Sequence, residues 1–170
     1  MLSSIETATR ARAIQEIEYL QRWYARATDL LGTNQAELVV EGSAIYHRIF
    51  SPNVEITSTE KDAELRRANG ISEWLDVVIG VLSPMGTTQH FVGTQLVEFQ
   101  SLEIDDLGNV KSGAAVLTSH LQAWHDISPD QVYLFVGTYT SDVSFSTDAG
   151  WQIWRMNLER ETIETRTKIC

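Results

Sequence analysis

The 170-residue chain is long enough for one domain, expected over residues 1–170 with a single core, and its 43% apolar and 21% charged residues are ordinary for a globular protein. Thirteen scattered Lys and Arg stand against twenty-three Asp and Glu, a formal net charge of −10, which speaks against nucleic acid because a phosphate backbone selects clustered cations. The opening "MLSSIETATRARAIQEIEYL" has no apolar core for a signal peptide and no segment reads as membrane-spanning, so no membrane partner and a cytoplasmic setting are expected; the lone cysteine, Cys170, allows neither an intrachain disulfide nor a Cys-based zinc site.

The stretch "SSIETATRARAIQEIEYLQRWYARATDLLG" predicts a long amphipathic helix. Ser3 and Glu6 have capping-box spacing, Ile14, Ile17, Leu20, Tyr24, Ala27 and Leu31 recur at helical intervals, and Gly32 is a stop signal. A second helix follows, with Asn34 and Glu37 repeating the capping pattern, Leu38, Ile45, Ile49 and Phe50 on its buried side, and Pro52 ending it. "VEITS" at 54–58 predicts a short strand, "KDAELRRANG" a charged loop, and "ISEWLDVVIGVLS" at 71–83 a third helix capped by Asn69 or Ser72. Four strands are then expected at 88–99, 112–125, 131–146 and 151–160, joined by the turn-type sequences "DDLGN", "DISPD" and "STDAG". Helices first and strands later is the order of an α+β domain, with helices on one face of an antiparallel meander whose curvature could enclose a pocket.

Histidine carries most of the candidate chemistry. His90 sits just inside the strand "TTQHFVG". It can be a packed histidine or a general base, since an imidazole titrates near neutrality and a carboxylate on its far nitrogen fixes its tautomer. Asp29 is the candidate carboxylate, with the alternative of a solvated residue near a helix end. Five residues on an ideal helix turn roughly 140° beyond a full circle, so Asp29 should point away from Tyr24 unless the helix distorts near Thr28 to Leu31. His120 and His125 differ by five and should face opposite sides of a regular strand, so at most one reaches a pocket. His47 reads as a surface or packing residue. The four histidines lack the spacing of a metal site, and none of the Walker loop, dinucleotide fingerprint or Gly-x-Ser-x-Gly elbow is present; no cofactor and no metal are expected. Arg155 shares a strand face with Trp151 and Ile153 and is either an inward anchor for an anionic oxygen or half of an ion pair. Trp23, Trp74, Trp124, Trp151 and Trp154 could wall an apolar pocket or simply pack.

The order helix, helix, short strand, helix, four long strands resembles the nuclear transport factor 2-like superfamily, a cone-shaped α+β barrel. "YARATD", "FSPNVEI", "TTQHFVG", "GTYTSDVSF" and "GWQIWRMNLE" are similar to its SnoaL-like branch, which includes scytalone dehydratase, bile acid 7α-dehydratase and a hexachlorocyclohexane dehydrochlorinase. The resemblance spans roughly Ala13 to Glu159. It implies His90 as catalytic base, Asp29 as its partner and Tyr24 as a pocket tyrosine that binds or polarises substrate oxygen. It also places His125 near a second histidine of scytalone dehydratase, and sets Thr138 and Thr140 where that enzyme has a substrate-binding Ser and Asn. Association as a homodimer through the outer sheet face is implied as well, and strand faces carrying Phe91, Phe135 and Phe145 beside small residues are consistent with a buried flank there. The expected function is a cofactor-independent lyase or isomerase acting on a small apolar or aromatic ring substrate, first of all a dehydratase. The alternatives are a non-catalytic binding or assembly module, and a polyketide cyclase or epoxide hydrolase relative.

Overall fold

Ser3 begins the first helix through the reciprocal bonds its spacing predicts. Its hydroxyl oxygen accepts from the Glu6 N–H at 3.1 Å, and the Glu6 carboxylate accepts from the Ser3 N–H at 2.6 Å. A capping side chain of this kind contributes about 1 kcal/mol. Ser3→Ala is therefore expected to lower urea-unfolding stability by about 1 kcal/mol, with no effect on ligand binding.

The computed structural model describes residues 3–61 and 63–168; Cys170 lies outside them. The elements are α1 (Ser4–Leu31), α2 (Ala36–Ile49), β1 (Phe50–Glu60), β2 (Ala63–Asn69), α3 (Ile71–Leu82), β3 (Thr88–Ile104), β4 (Val110–Ser128), β5 (Gln131–Ser146) and β6 (Gly150–Thr167). Ile17, Leu20, Tyr24, Ala27 and Leu31 are buried along α1, as the stripe predicts. Gly32 ends the helix in right-handed backbone (φ −73°). Its value is closeness: a Cβ there would lie 3.0 Å from the Thr88 hydroxyl.

Several local expectations are corrected. Asn34 does not cap α2; Gln35 holds that position, while Asn34 adopts φ 58° and its amide donates to the Ser83 carbonyl at 2.7 Å. Pro52 lies inside β1, which starts at Phe50, in a stretch where pairing to β6 is irregular. Neither Asn69 nor Ser72 caps α3; Gly70 precedes it, and Glu73 turns back to accept from the Asn69 N–H at 2.8 Å. The charged "KDAELRRANG" holds β2, antiparallel to β1.

The six strands form one curved sheet in the order β2-β1-β6-β5-β4-β3. β3 to β6 make the expected antiparallel meander, but β1 runs parallel to β6, so the sheet is mixed. It is also open, with β2 and β3 as its edges. The core fills the space between the helices and the concave face, where Tyr46, Ile56, Leu117, Leu121, Val143, Ile153 and Met156 are buried. Inward positions alternate regularly along β4, from Gly113 through His125. Among the described residues no helix is long and apolar enough to cross a membrane.

Candidate active site

The last turn of α1 runs beside β3, an edge strand whose outer side has no neighbouring strand. An edge leaves backbone N–H groups free, and Asp29 takes one of them. Its Oδ1 accepts from the His90 backbone N–H at 3.0 Å and lies 2.7 Å from His90 Nδ1; Thr88 Oγ1 adds a longer bond at 3.4 Å. The helix needs no distortion for this, because Gly32 N still bonds to Thr28 O at 3.1 Å. Asp29 leaves the apolar stripe, as the helical angle requires, and meets the flank of β3 instead of the core.

An ionised carboxylate can only accept. Nδ1 therefore donates to Asp29, and in the neutral ring it is Nε2 that carries the lone pair. The His90 side chain is 8% exposed and lines a cavity of about 190 Å³ between α1, α3 and the concave face of the sheet. Apolar side chains, among them Val78, Val81, Leu121 and Phe135, make up much of its wall.

His125 faces the same cavity from β4, one strand over, with its ring 5.3 Å from the His90 ring in an edge-on arrangement. It is buried, and its Nδ1 has no hydrogen-bond partner among the described residues. Burial, helped by the neighbouring His90, lowers its pKa to about 4, so His125 is a neutral imidazole at neutral pH. His120 lies on the opposite face, exposed, and His47 is exposed on α2.

Tyr24 also lines the cavity. Its ring stacks on Tyr46 and meets Tyr139 edge-on, both at 5.3 Å between centroids. Burial pushes the Tyr24 phenol above its ordinary value, which keeps it protonated and able to donate. The Thr28 hydroxyl donates to the Tyr24 carbonyl at 2.8 Å, and so accepts from the Tyr46 hydroxyl at 2.7 Å. The Trp74 indole faces the Tyr24 phenol without completing a hydrogen bond, and its Nε1 is left buried and unpartnered. Trp74 alone of the five tryptophans lines this cavity. Trp151 packs between Phe99 and Phe145, while Trp23, Trp124 and Trp154 are exposed.

Three of the residues singled out in the sequence lie elsewhere. Arg155 is not inward. The register between β5 and β6 shifts between Asp142 and Val143, leaving Trp154 as an extra residue; Ile153 faces in, and Trp154 and Arg155 face out. Arg155 pairs with Asp142, Nε to Oδ2 at 2.6 Å. Thr138 and Thr140 sit on the outer face, because Tyr139 and Ser141 are the buried positions of that part of β5. Phe135 and Phe145 likewise belong to the concave side, so the outer face carries Phe91, Leu96 and Trp124 instead.

Sequence reading also missed residues that line the cavity: Ser58, Leu65, Arg66, Tyr133 and Arg160. Arg66 is on β2, which was expected to be loop. Arg160 returns to the concave face because of the bulge at Trp154, and it pairs with Gly137 on β5. That pairing is tight: a Cβ on Gly137 would meet the Glu159 carbonyl oxygen. Gly137→Ala is expected to cost about 1–3 kcal/mol in chemical denaturation, the usual range for overpacking. Among the described residues no three His, Cys, Asp or Glu side chains gather as ligands of a metal would.

A scytalone dehydratase candidate from Novosphingobium aromaticivorans has the same fold, with a TM-score of 0.67 and 18% identity over 93% of this chain and 90% of that one. A dehydratase candidate of the NTF2-like family from Streptomyces avermitilis gives 0.61 and 12% over 90% and 99%. The β subunit of an aromatic-ring-hydroxylating dioxygenase candidate, again from N. aromaticivorans, gives 0.64 and 10% over 90% and 92%. No curated protein matches the chain. The sequence model of the SnoaL-like domain matches residues 9–157. By that match over most of its length, on an NTF2-like fold, the chain belongs to the SnoaL-like domain family.

Proposed function

We propose that the protein is a lyase of the dehydratase type, acting without a cofactor on a small, largely apolar ring compound that carries an oxygen substituent. The observation that carries this reading is the 2.7 Å contact of Asp29 with His90 Nδ1, in a residue whose imidazole lines an apolar cavity. In the proposed reaction His90 Nε2 takes a proton from the carbon next to an activating oxygen group. The electron pair left on that carbon forms the new double bond as the C–O bond of the neighbouring hydroxyl breaks. The proton on Nε2 then passes to the departing hydroxide, which leaves as water and restores the starting imidazole. Asp29 holds the ring and faces the charge that forms on it. Tyr24, protonated by virtue of its burial, donates to the oxygen on which negative charge builds.

The test is a screen of hydroxylated steroids, polyketide fragments and halogenated rings for loss of water or hydrogen halide, read by mass spectrometry. Turnover that the Asp29 and His90 variants lose supports the reading; turnover that both variants keep sinks it. A second reading, a non-catalytic assembly subunit, draws on the fold shared with the dioxygenase β subunit. It expects a ligand or protein partner that binds with no product formed. We further propose a homodimer through the outer sheet face, where Phe91 and Leu96 are more than half exposed. Sedimentation of the wild type against Phe91→Glu tests it: the wild type is expected as a dimer and the variant as a monomer.

A further inference from the structure

The mechanism above uses one side of the cavity and leaves its β1–β2–β6 side without a role. Arg160 of β6 and Arg66 of β2 both line the cavity there, with Ser58 of β1 and Tyr133 of β5. β3, which carries His90, is three strand spacings from β6, about 14 Å across the sheet, and Arg160 lies a few residues along β6 from Ile163, the position in register with His90. Tyr133 links that side to the dyad's side, its ring 5.8 Å from the His125 ring, and apolar side chains make up much of the remaining wall.

Arg160 is held at one point only. Its Nη2 pairs with Glu60 at 2.5 Å, while its Nε is buried and has no acceptor among the described residues. A guanidinium has five N–H donors, so one carboxylate leaves most of them available. Arg66 is exposed at this side of the cavity, opposite Ser58 in the β1–β2 ladder, and no carboxylate among the described residues pairs with it. A buried donor without an acceptor is unfavourable until something supplies one. Glu60 and Arg160 form a strap joining β1 to β6, but a strap explains neither the bare Nε nor the second guanidinium on the same side of the cavity.

We propose that this side of the cavity binds a carboxylate on the ligand, with Arg160 and Arg66 as its anchors, so that the compound taken is a ring acid whose reacting carbon faces His90. The planar, permanently charged guanidinium suits a carboxylate better than a neutral oxygen does. The net charge of −10 would repel an anion from the molecule as a whole, so any preference for one has to arise locally. The assignment rests on the cavity being the substrate site, but not on the dyad's chemistry.

Calorimetric titration with a naphthalene carboxylate and its matching neutral carboxamide, at low salt and neutral pH, tests it. The wild type is expected to bind the carboxylate roughly tenfold more tightly than the amide, the scale of one charge-assisted contact. Arg66→Gln and Arg160→Met should each bring that ratio towards one while changing amide affinity little, and thermal unfolding checks that both variants fold. A structural strap alone would lower the stability of Arg160→Met and leave the ratio as it was. Equal affinity for the two probes in the wild type, no binding of either, or an undiminished ratio in both variants overturns the proposal. His90→Gln should keep the full preference for the carboxylate. A dyad that proves inert therefore leaves this anchor standing, and a missing charge preference leaves the dyad's turnover intact.

Discussion

Asp29→Asn is expected to cut turnover by about 10²–10⁴-fold, the range that positioned acid–base groups contribute, with little change in the folded state. An asparagine keeps the shape of the side chain and, through its carbonyl oxygen, can still accept from the His90 backbone N–H. It cannot serve the imidazole in the same way. An amide nitrogen turned towards Nδ1 donates, which places the ring proton on Nε2 and turns the base into a donor. If the amide oxygen faces Nδ1 instead, the tautomer survives but the charge opposite the imidazolium is gone. His90→Gln removes the base outright, with a similar loss expected, and the double variant should be no worse than the more damaged single one, because the two side chains act as a unit. Steady-state rates of the three variants on whichever ring compound the screen yields decide the matter. Losses below about tenfold in both single variants, or strictly multiplicative losses in the double, would rule out a dyad.

Much of this site could be read from the chain before any fold was known, and the parts that could not have physical causes. The α1 stripe, the Ser3 cap and the β3–β6 meander follow from local periodicity and turn chemistry, which the sequence displays directly. β2 was hidden because "AELRRAN" is charged and exposed along most of its length. That composition is how an edge strand avoids pairing with strangers, and it imitates a loop. The parallel pairing of β1 with β6 joins segments about 100 residues apart, as in Thr57 with Asn157, and no local pattern announces it. Alternation counted through the bulge puts Arg155 on the Trp151 face; the ion pair, the other reading of that residue, is what forms, and the same bulge delivers Arg160 to the cavity. Asp29 is the instructive residue. The helical angle correctly took it off the core-facing stripe, and reading that as a difficulty overlooked the free flank of β3. The proteins that share the fold at 10–18% identity define the architecture; the chemistry has to be argued from the side chains.

The unfolding free energy should fall by on the order of 3 kcal/mol on account of His125 alone as the pH drops from about 6.5 to about 4. The sign follows from where the proton is preferred. An unfolded His125 titrates at the ordinary value of 6.5, while the folded one is lowered to about 4 because the charged ring would be buried beside His90. Between those values the unfolded chain binds a proton that the native state refuses, so acid favours unfolding. Above 6.5 neither form is protonated, and below 4 both are, so the contribution is confined to that window. The bare Nδ1 agrees with this direction: Asp29, the carboxylate whose charge favours a protonated His125, is bonded to His90, and burial and His90 outweigh it. His125→Leu removes the titration and also the orphaned polar atom. Urea unfolding of wild type and variant at half-unit steps across the window should give curves that converge at high pH, up to a constant offset, and separate as acid is added, the wild type losing more. Parallel curves would mean that the folded imidazole takes up its proton as readily as the unfolded one. His125 would then be a cation in the cavity below pH 6.5 rather than the neutral imidazole that its burial implies.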